Sequence, residues 1–442
     1  MIWKWSVMLL ISISLLHGEY ILKQSYRVKS KIDMMPKNKV EDMHCIPQDP
    51  SYYADQIKPV SSKEQKALDE EFNERYFYPW DMSSLDIPRE DFGWEERFVT
   101  KKPIYRENGK IIPPLIYRKW LYNANMDEVD TKGYKAITIR RTDVKALPTS
   151  TAFYRDPRKI GEGFPFDYNQ NSAYHINIPL YVSHFSKDKK WAFVRGSYTF
   201  GWVKVTDIAL VDDKFIEAFK NGRYAMVIKD NIRLYRNKNP VSLVKIGALF
   251  SISKEGKYYL VATRDRQGRA HATKVSIREN GLLAAKPLPF TSKNVAYIAR
   301  QFYNEPYGWG GSYECRDCSA TTRDFLGVFG IFLERNSSKQ AREGKKRIPI
   351  AGLNKSYKKQ KIIQEAEPFR SLLYVPGHIV LYLGQYKGEP VIMHTYWGIR
   401  KTDGSKLITG RTIITSTEPG KERPDIREQS KLINTLQSIV CF

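Results

Sequence analysis

PYGWGGSYECRDCSATTRDFLGVFG, residues 306–330, is the stretch on which the reading of this 442-residue chain turns. Pro306, Gly308, Gly310 and Gly311 crowd its first half, a composition that makes a turn-rich loop and no regular element. From Ser319 the pattern becomes helical: Thr321, Phe325, Val328 and Phe329 share one face, and Gly330 is placed to cap the end. Cys318 therefore falls at or just before a helix N-terminus. Unpaired backbone N–H groups and the helix dipole favour a thiolate there, and the thiolate is the nucleophilic form. A buried structural cysteine more often sits inside an apolar run, whereas Cys318 is flanked by Asp317 and Ser319.

A nucleophile needs a base, and YVPGHIVLYLGQYKGEPVIMHTYWGI, residues 374–399, supplies two histidines. Pro376 and Gly377 make a turn, and His378 opens an apolar strand. With a three-residue loop, 385–387, Gly384 faces Gly388 and His378 falls opposite His394. Directly opposed residues share a face with Cβ atoms about 5 Å apart. His394 then holds one ring nitrogen of His378, leaving the other for Cys318: nucleophile, base and orienter. His175, His184 and His271 lack such a setting and read as satisfied, non-catalytic residues. Cys315 and Cys318 form a C-x-x-C pair, so a redox pair or half a zinc site is the competing reading. Zinc would need two further ligands, and the only adjacent His–Cys, at 44 and 45, is remote in sequence. No βαβ unit precedes Pro306 to support a thioredoxin-like pair. Cys45 and Cys441 are left as either free or paired.

Working outward, residues 291–442 alternate helix and strand. Upstream, 134–149 (YKAITIRRTDVKALPT) opens a region of short alternating strands with turn residues between them, the pattern of small barrels or a sandwich. A short helix, KFIEAFKNG at 214–222, divides that region in two. Residues 61–80 (SSKEQKALDEEFNERYFYPW) read as a Ser-capped helix with Leu68, Phe72 and Tyr76 on its apolar side, and aromatics recur at helical spacing up to Tyr134. Residues 20–60 read as a polar linker or extended lead-in.

Lys and Arg number 72 against 48 Asp and Glu, a net charge of +24. Such a balance points to a polyanionic partner: nucleic acid, an anionic membrane, or cell wall. Lys4 and the apolar run 7–16 form a secretory signal too short to span a bilayer comfortably, or an uncleaved anchor. Export makes cell wall the expected partner and excludes nucleic acid. Contact with a membrane is expected only through a retained signal.

At PYGWGG, DCSATTRDF (317–325), GHIVLYLG (377–384) and MHTYWGI (393–399) the chain resembles the NlpC-type cell-wall cysteine peptidases. The segment 191–210 (WAFVRGSYTFGWVKVTDIAL) resembles a bacterial Src-homology-3-like barrel. RRTDVKALPTS (140–150), FPFDYNQNS (164–172) and FGWV (200–203) match the family's multidomain subgroup. The resemblance implies a multidomain α+β chain: signal or anchor at 1–20, a mostly helical stabilising domain at 21–135, Src-homology-3-like barrels at 136–212 and 213–290, and a papain-like catalytic domain at 291–442. It implies a periplasmic or cell-envelope hydrolase, with no cofactor and no metal, expected to act as a monomer. Its substrate would be the γ-D-glutamyl–diaminopimelate bond of peptidoglycan stem peptides, with preference for a free N-terminal L-alanine.

Carried over by motif, Cys318 is the nucleophile, His378 the base and His394 the third polar residue. Tyr307 lies beside the oxyanion and Trp309 packs the site. Asp317 holds the substrate's amine, with Ser319 in the same subsite. RNSSKQ (335–340) matches a substrate loop in which Ser337 contacts the peptide; Asn336 stands where the family carries an acid. Tyr154, Asp167 and Tyr168 are the first-barrel residues offered to close the amine subsite. The competing functions are a non-catalytic wall binder, a thiol oxidoreductase, and an acyltransferase or amidase built on the same Cys–His–His set.

Overall fold

The computed structural model describes residues 19–88, 91–159 and 161–442; the signal reading falls almost wholly outside them. Among the described residues no helix is long and apolar enough to cross a membrane.

The helix read from residues 61–80 spans Ser62–Phe77, capped by Ser61, whose side chain accepts the Glu64 N–H. Its buried side wedges between units: Phe72 meets Phe332 edge-on at 5.5 Å, and Phe77 lies 5.2 Å from Tyr224. Just beyond it, the Trp80 indole donates to the Ala136 carbonyl at 2.8 Å. Two shorter helices, Trp94–Lys101 and Pro114–Asn123, complete the helical region.

A seven-stranded sheet follows, running from Tyr134–Thr138 to Ile208–Leu210. The dividing helix is Asp213–Phe219, with the Asp212 side chain accepting from the Phe215 N–H. The next sheet has eight strands, and one comes from far upstream. Tyr20–Gln24 lies antiparallel to Ile232–Arg236 and parallel to the end of Ala270–Ile277. This corrects the reading of 20–60 as a lead-in. Leu22, Ile32, Val40 and Tyr53 are each buried, but in different places. Asp42 accepts from the backbone and hydroxyl of Ser416, both at 2.8 Å. An extended strap that docks one residue at a time leaves no periodicity to detect.

The C-terminal part packs the helices Ser292–Phe302 and Cys318–Val328 on a six-stranded antiparallel sheet. Four neighbouring strands, Ser371–Val375, His378–Tyr386, Glu389–Arg400 and, at the sheet's edge, Lys406–Ser416, carry the hairpin and its flanks. All eleven residues of Cys318–Val328 are buried, on every face. Its C-terminus closes as a double turn: the Gly330 N–H reaches the Gly327 carbonyl and the Ile331 N–H reaches that of Leu326. Gly330 sits at φ +86°, the left-handed geometry that suits glycine.

Candidate active site

The loop before Cys318 is built from backbone. The Tyr307 N–H donates to Gly410 at 2.9 Å and the Gly308 N–H to Arg316 at 2.8 Å. Gly310 adopts φ +56°, and a Cβ there would collide with the Gln170 carbonyl of the seven-stranded sheet. Asp317 is the helix N-cap, accepting the Ala320 N–H at 3.0 Å. Cys318 thus starts the helix at the floor of a cleft of about 380 Å³.

The histidines meet, but by another register. The hairpin closes on a two-residue turn, Lys387–Gly388, with Tyr386 opposite Glu389, and a bulge follows between Tyr382 and Gly384. Leu381 pairs with Met393; carried outward, this sets His378 against Tyr396 and leaves His394 two positions along. The expected register was off by two residues, an even number, so both rings keep to one face. His378 Nε2 lies 3.2 Å from His394 Nδ1, and His394 Nε2 lies 3.1 Å from the Thr415 hydroxyl. Tyr396, which sequence reasoning missed, stacks on His394 at 4.8 Å and covers His378 at 5.1 Å.

The proton positions along this chain follow from one fact. The Thr415 hydroxyl donates to the Ser416 carbonyl at 2.7 Å, so its oxygen is left to accept. His394 therefore donates from Nε2 and, when neutral, accepts at Nδ1 from His378 Nε2–H. The lone pair of neutral His378 is then at Nδ1. Burial holds both rings neutral: it takes His378 down to about 4 and His394 well below its ordinary value.

Burial also overrides the expected thiolate. It pushes the Cys318 thiol up to about 12, helped by the Asp317 charge; the Ile379 and Ser319 backbone N–H groups and Arg335 pull the other way and lose. Desolvation of a charge outweighs a helix dipole at so enclosed a position. The resting pair is a thiol and a neutral imidazole.

Asp317 is occupied. Besides the Ala320 N–H, its carboxylate accepts from the Gly310 N–H at 3.1 Å, from the Ser319 hydroxyl at 3.4 Å and from Arg335 at 2.5 Å. Arg335 also donates to the hydroxyls of Ser319 at 2.7 Å and Ser172 at 2.8 Å. Ser319, Asn336, Ser337, Tyr307 and Trp309 line the cleft. The Tyr307 phenol, raised well above its usual value chiefly by burial, also feels the charges of Asp317 and Cys318.

Of the three residues offered from the first β unit, Tyr168 lines the cleft. The Asp167 carboxylate instead receives the Phe153 and Asn169 N–H groups at 3.0 and 2.8 Å, while its carbonyl accepts the Trp309 indole at 3.0 Å. Tyr154 lies outside the cleft lining, its backbone paired with Tyr105. Trp94 also lines the cleft and was missed; it continues an aromatic row through Phe98 to Tyr168. Its signal was the Trp–x–x–x–Phe spacing at 94 and 98.

Cys315 and Cys318 are both free thiols. Cys315 packs with Ile32, Tyr307 and Trp397, away from the core cluster that holds Cys318, and burial pushes its thiol up to about 12. Among the described residues no group of three or more His, Cys, Asp and Glu side chains could hold a metal. His175, His184 and His271 bond to Asp324, to Ser183 and the Ala124 carbonyl, and to Asp265.

A cysteine at a helix tip and two hydrogen-bonded histidines on a hairpin, preceded by a helical region and two β-rich units, define a class. Residues 8–128 match the NLPC_P60 N-terminal stabilising domain, 152–204 an SH3 domain of the SH3b1 type, and 304–400 the NlpC/P60 family. The chain belongs to the NlpC/P60 family of cysteine peptidases. Among solved structures it is similar to an NlpC/P60 endopeptidase from Photobacterium damselae subsp. piscicida: TM-score 0.79, 23% identity, covering 92% of this chain and 99% of that one. An NlpC/P60 family protein from Bacillus cereus aligns at TM-score 0.43 and 14% identity, covering 69% and 98%. No curated protein sequence matches the chain.

Proposed function

We propose that this chain is an exported peptidoglycan endopeptidase that hydrolyses the γ-D-glutamyl–meso-diaminopimelate bond of stem peptides. The supporting observation is the directed chain from Thr415 through His394 to His378, which leaves a lone pair at His378 Nδ1, while the Cys318 sulfur meets the backbone N–H of Ile379, the next residue along. His378 Nδ1 takes the Cys318 proton as the sulfur attacks the carbonyl. The Cys318 backbone N–H and the Tyr307 hydroxyl stabilise the oxyanion. The resulting imidazolium gives its proton to the departing amine. Water, deprotonated by His378, then releases the acyl group from sulfur and restores the thiol.

The polar cleft lining of Gln170, Asn171, Ser319 and Ser337 suits a peptide in water and supports hydrolysis over transfer to a lipid. The apolar run at 7–16 and the +24 charge support export toward an anionic wall. A free L-alanine amine would enter beside Asp317, but Arg335 balances that carboxylate. The expected preference for the free amine is therefore modest, within about tenfold in kcat/KM.

Digestion of purified muropeptides with product masses tests this. The wild-type chain releases fragments ending in D-glutamate, and Cys318→Ala, a folded protein, cuts at least about a thousandfold more slowly. Undiminished cleavage by Cys318→Ala refutes the mechanism; cleavage at another bond refutes the specificity.

A further inference from the structure

A second cavity, of about 350 Å³, lies on the other side of the Trp94–Lys101 helix from the cleft. Trp94 lines one space and Glu95 the other. The cavity is walled by that helix, by residues 121–127 and by the seven-stranded sheet, with Phe92 and Trp202 among its apolar lining. Glu95 faces into it and is only 8% exposed. Its carboxyl meets its own backbone N–H and the field of Arg97, and it makes no side-chain hydrogen bond or ion pair with another described residue. A buried carboxyl bonded, among the described residues, only to its own backbone keeps acceptor capacity to spare, and such groups mark sites where a ligand completes the set.

The rim adds the sign of the charge. Glu96 and Asp127 are exposed at the mouth, an acidic opening on a molecule of net charge +24. The chain's own Lys187 ammonium already sits over the Tyr122 ring there, at 4.6 Å from its centre. Apolar walls leading to a carboxylate fit methylenes ending in a cation.

We propose that this cavity is a second ligand site, taking a primary ammonium on a short aliphatic stem with Glu95 as its counter-ion. Burial, which raises Glu95 to about 8 against the pull of its own backbone N–H and of Arg97, is offset when the ammonium arrives and the carboxyl ionises against it. The side chain of a diamino acid within a peptide and a free diamine share this chemistry.

Calorimetric titration of the full chain distinguishes them. Nα-acetyl-L-lysine amide binds saturably, one per chain, whereas Nα-acetyl-L-norleucine amide, which lacks the amine, does not. Cadaverine binding more weakly than the lysine amide assigns the site to peptides; the reverse assigns it to free diamines. Glu95→Gln weakens binding about tenfold or more, the factor a charge-assisted hydrogen bond commands. The exposed double variant Glu96→Gln, Asp127→Asn, which leaves the interior untouched, weakens it in the same direction. Cys318→Ala leaves it unchanged, separating this site from the cleft. Unaltered affinity in both acidic variants, or no saturable binding at millimolar lysine amide, overturns the proposal.

Discussion

Thr415 is the residue on which the imidazole chain hangs. Its hydroxyl is committed to the Ser416 carbonyl, so it can only accept from His394. Thr415→Val removes that acceptor and lets His394 take the other tautomer, which would turn the His378 lone pair away from the sulfur. We expect kcat to fall about tenfold or more with KM little changed, since a wrong tautomer disables a base without emptying the site. The base also sets the pH profile. Because His378 is held down to about 4, its deprotonated, active form persists far into acid, and the acid limb of kcat/KM falls near pH 4–5. A limb at 6.5 or above would show that the ring is not so buried. The same depression links to stability. Between about pH 6.5 and 4 the unfolded chain binds protons at these histidines that the folded chain refuses. Stability contributed by neutral His378 and His394 is present above pH 6.5 and lost as pH falls, so melting temperature should drop from pH 7 to pH 5, less in a His394→Asn variant.

At the scale of elements, the loop 306–317 and the hairpin carry the site. Gly310 is needed twice, for its positive φ and for the closeness of the Gln170 carbonyl. Gly310→Ala is expected to cost at least about 1 kcal/mol from the left-handed backbone alone. It should also push the loop from the first β unit, lowering both the melting temperature and kcat. An alanine variant with wild-type values would mean that the loop tolerates a different path. The hairpin shows what strand patterns can and cannot reveal. At the turn the pairing departs from the expected one by three residues, an odd number, and the bulge between Tyr382 and Gly384 makes the difference two, which returns both histidines to one face. The contact between the histidines survived a two-residue error in register because two is the strand's period.

Across the whole molecule, one buried arginine joins three units. Arg316, 2% exposed, holds Asp230 of the eight-stranded sheet with both terminal nitrogens at 2.6 and 2.9 Å. It also reaches Glu305 at 2.8 Å and Asp324 at 2.7 Å, and Asp324 in turn bonds His175 of the seven-stranded sheet at 3.1 Å. Arg316→Met removes the cation these carboxylates share, leaving Asp324 to Arg323 and Asp230 and Glu305 to Lys245, a loss of about 3 kcal/mol. Arg316 immediately precedes Asp317 and Cys318, so we expect denaturant unfolding to shift to lower concentration and activity to fall together with it. A variant of unchanged stability would show that the β units dock without this network.

The sequence by itself determined the helix tip at 318 and the order of helical, β-rich and mixed regions. Those signals are local: turn composition, period and caps act over a few neighbouring residues. Only the tertiary structure decided the protonation of Cys318, the claim of Arg335 on Asp317, the entry of Trp94 into the cleft and the return of residues 20–24 to a distant sheet. Each depends on what lies across space. Burial sets whether a charge can exist, and the partner that removes water from a group can be hundreds of residues away.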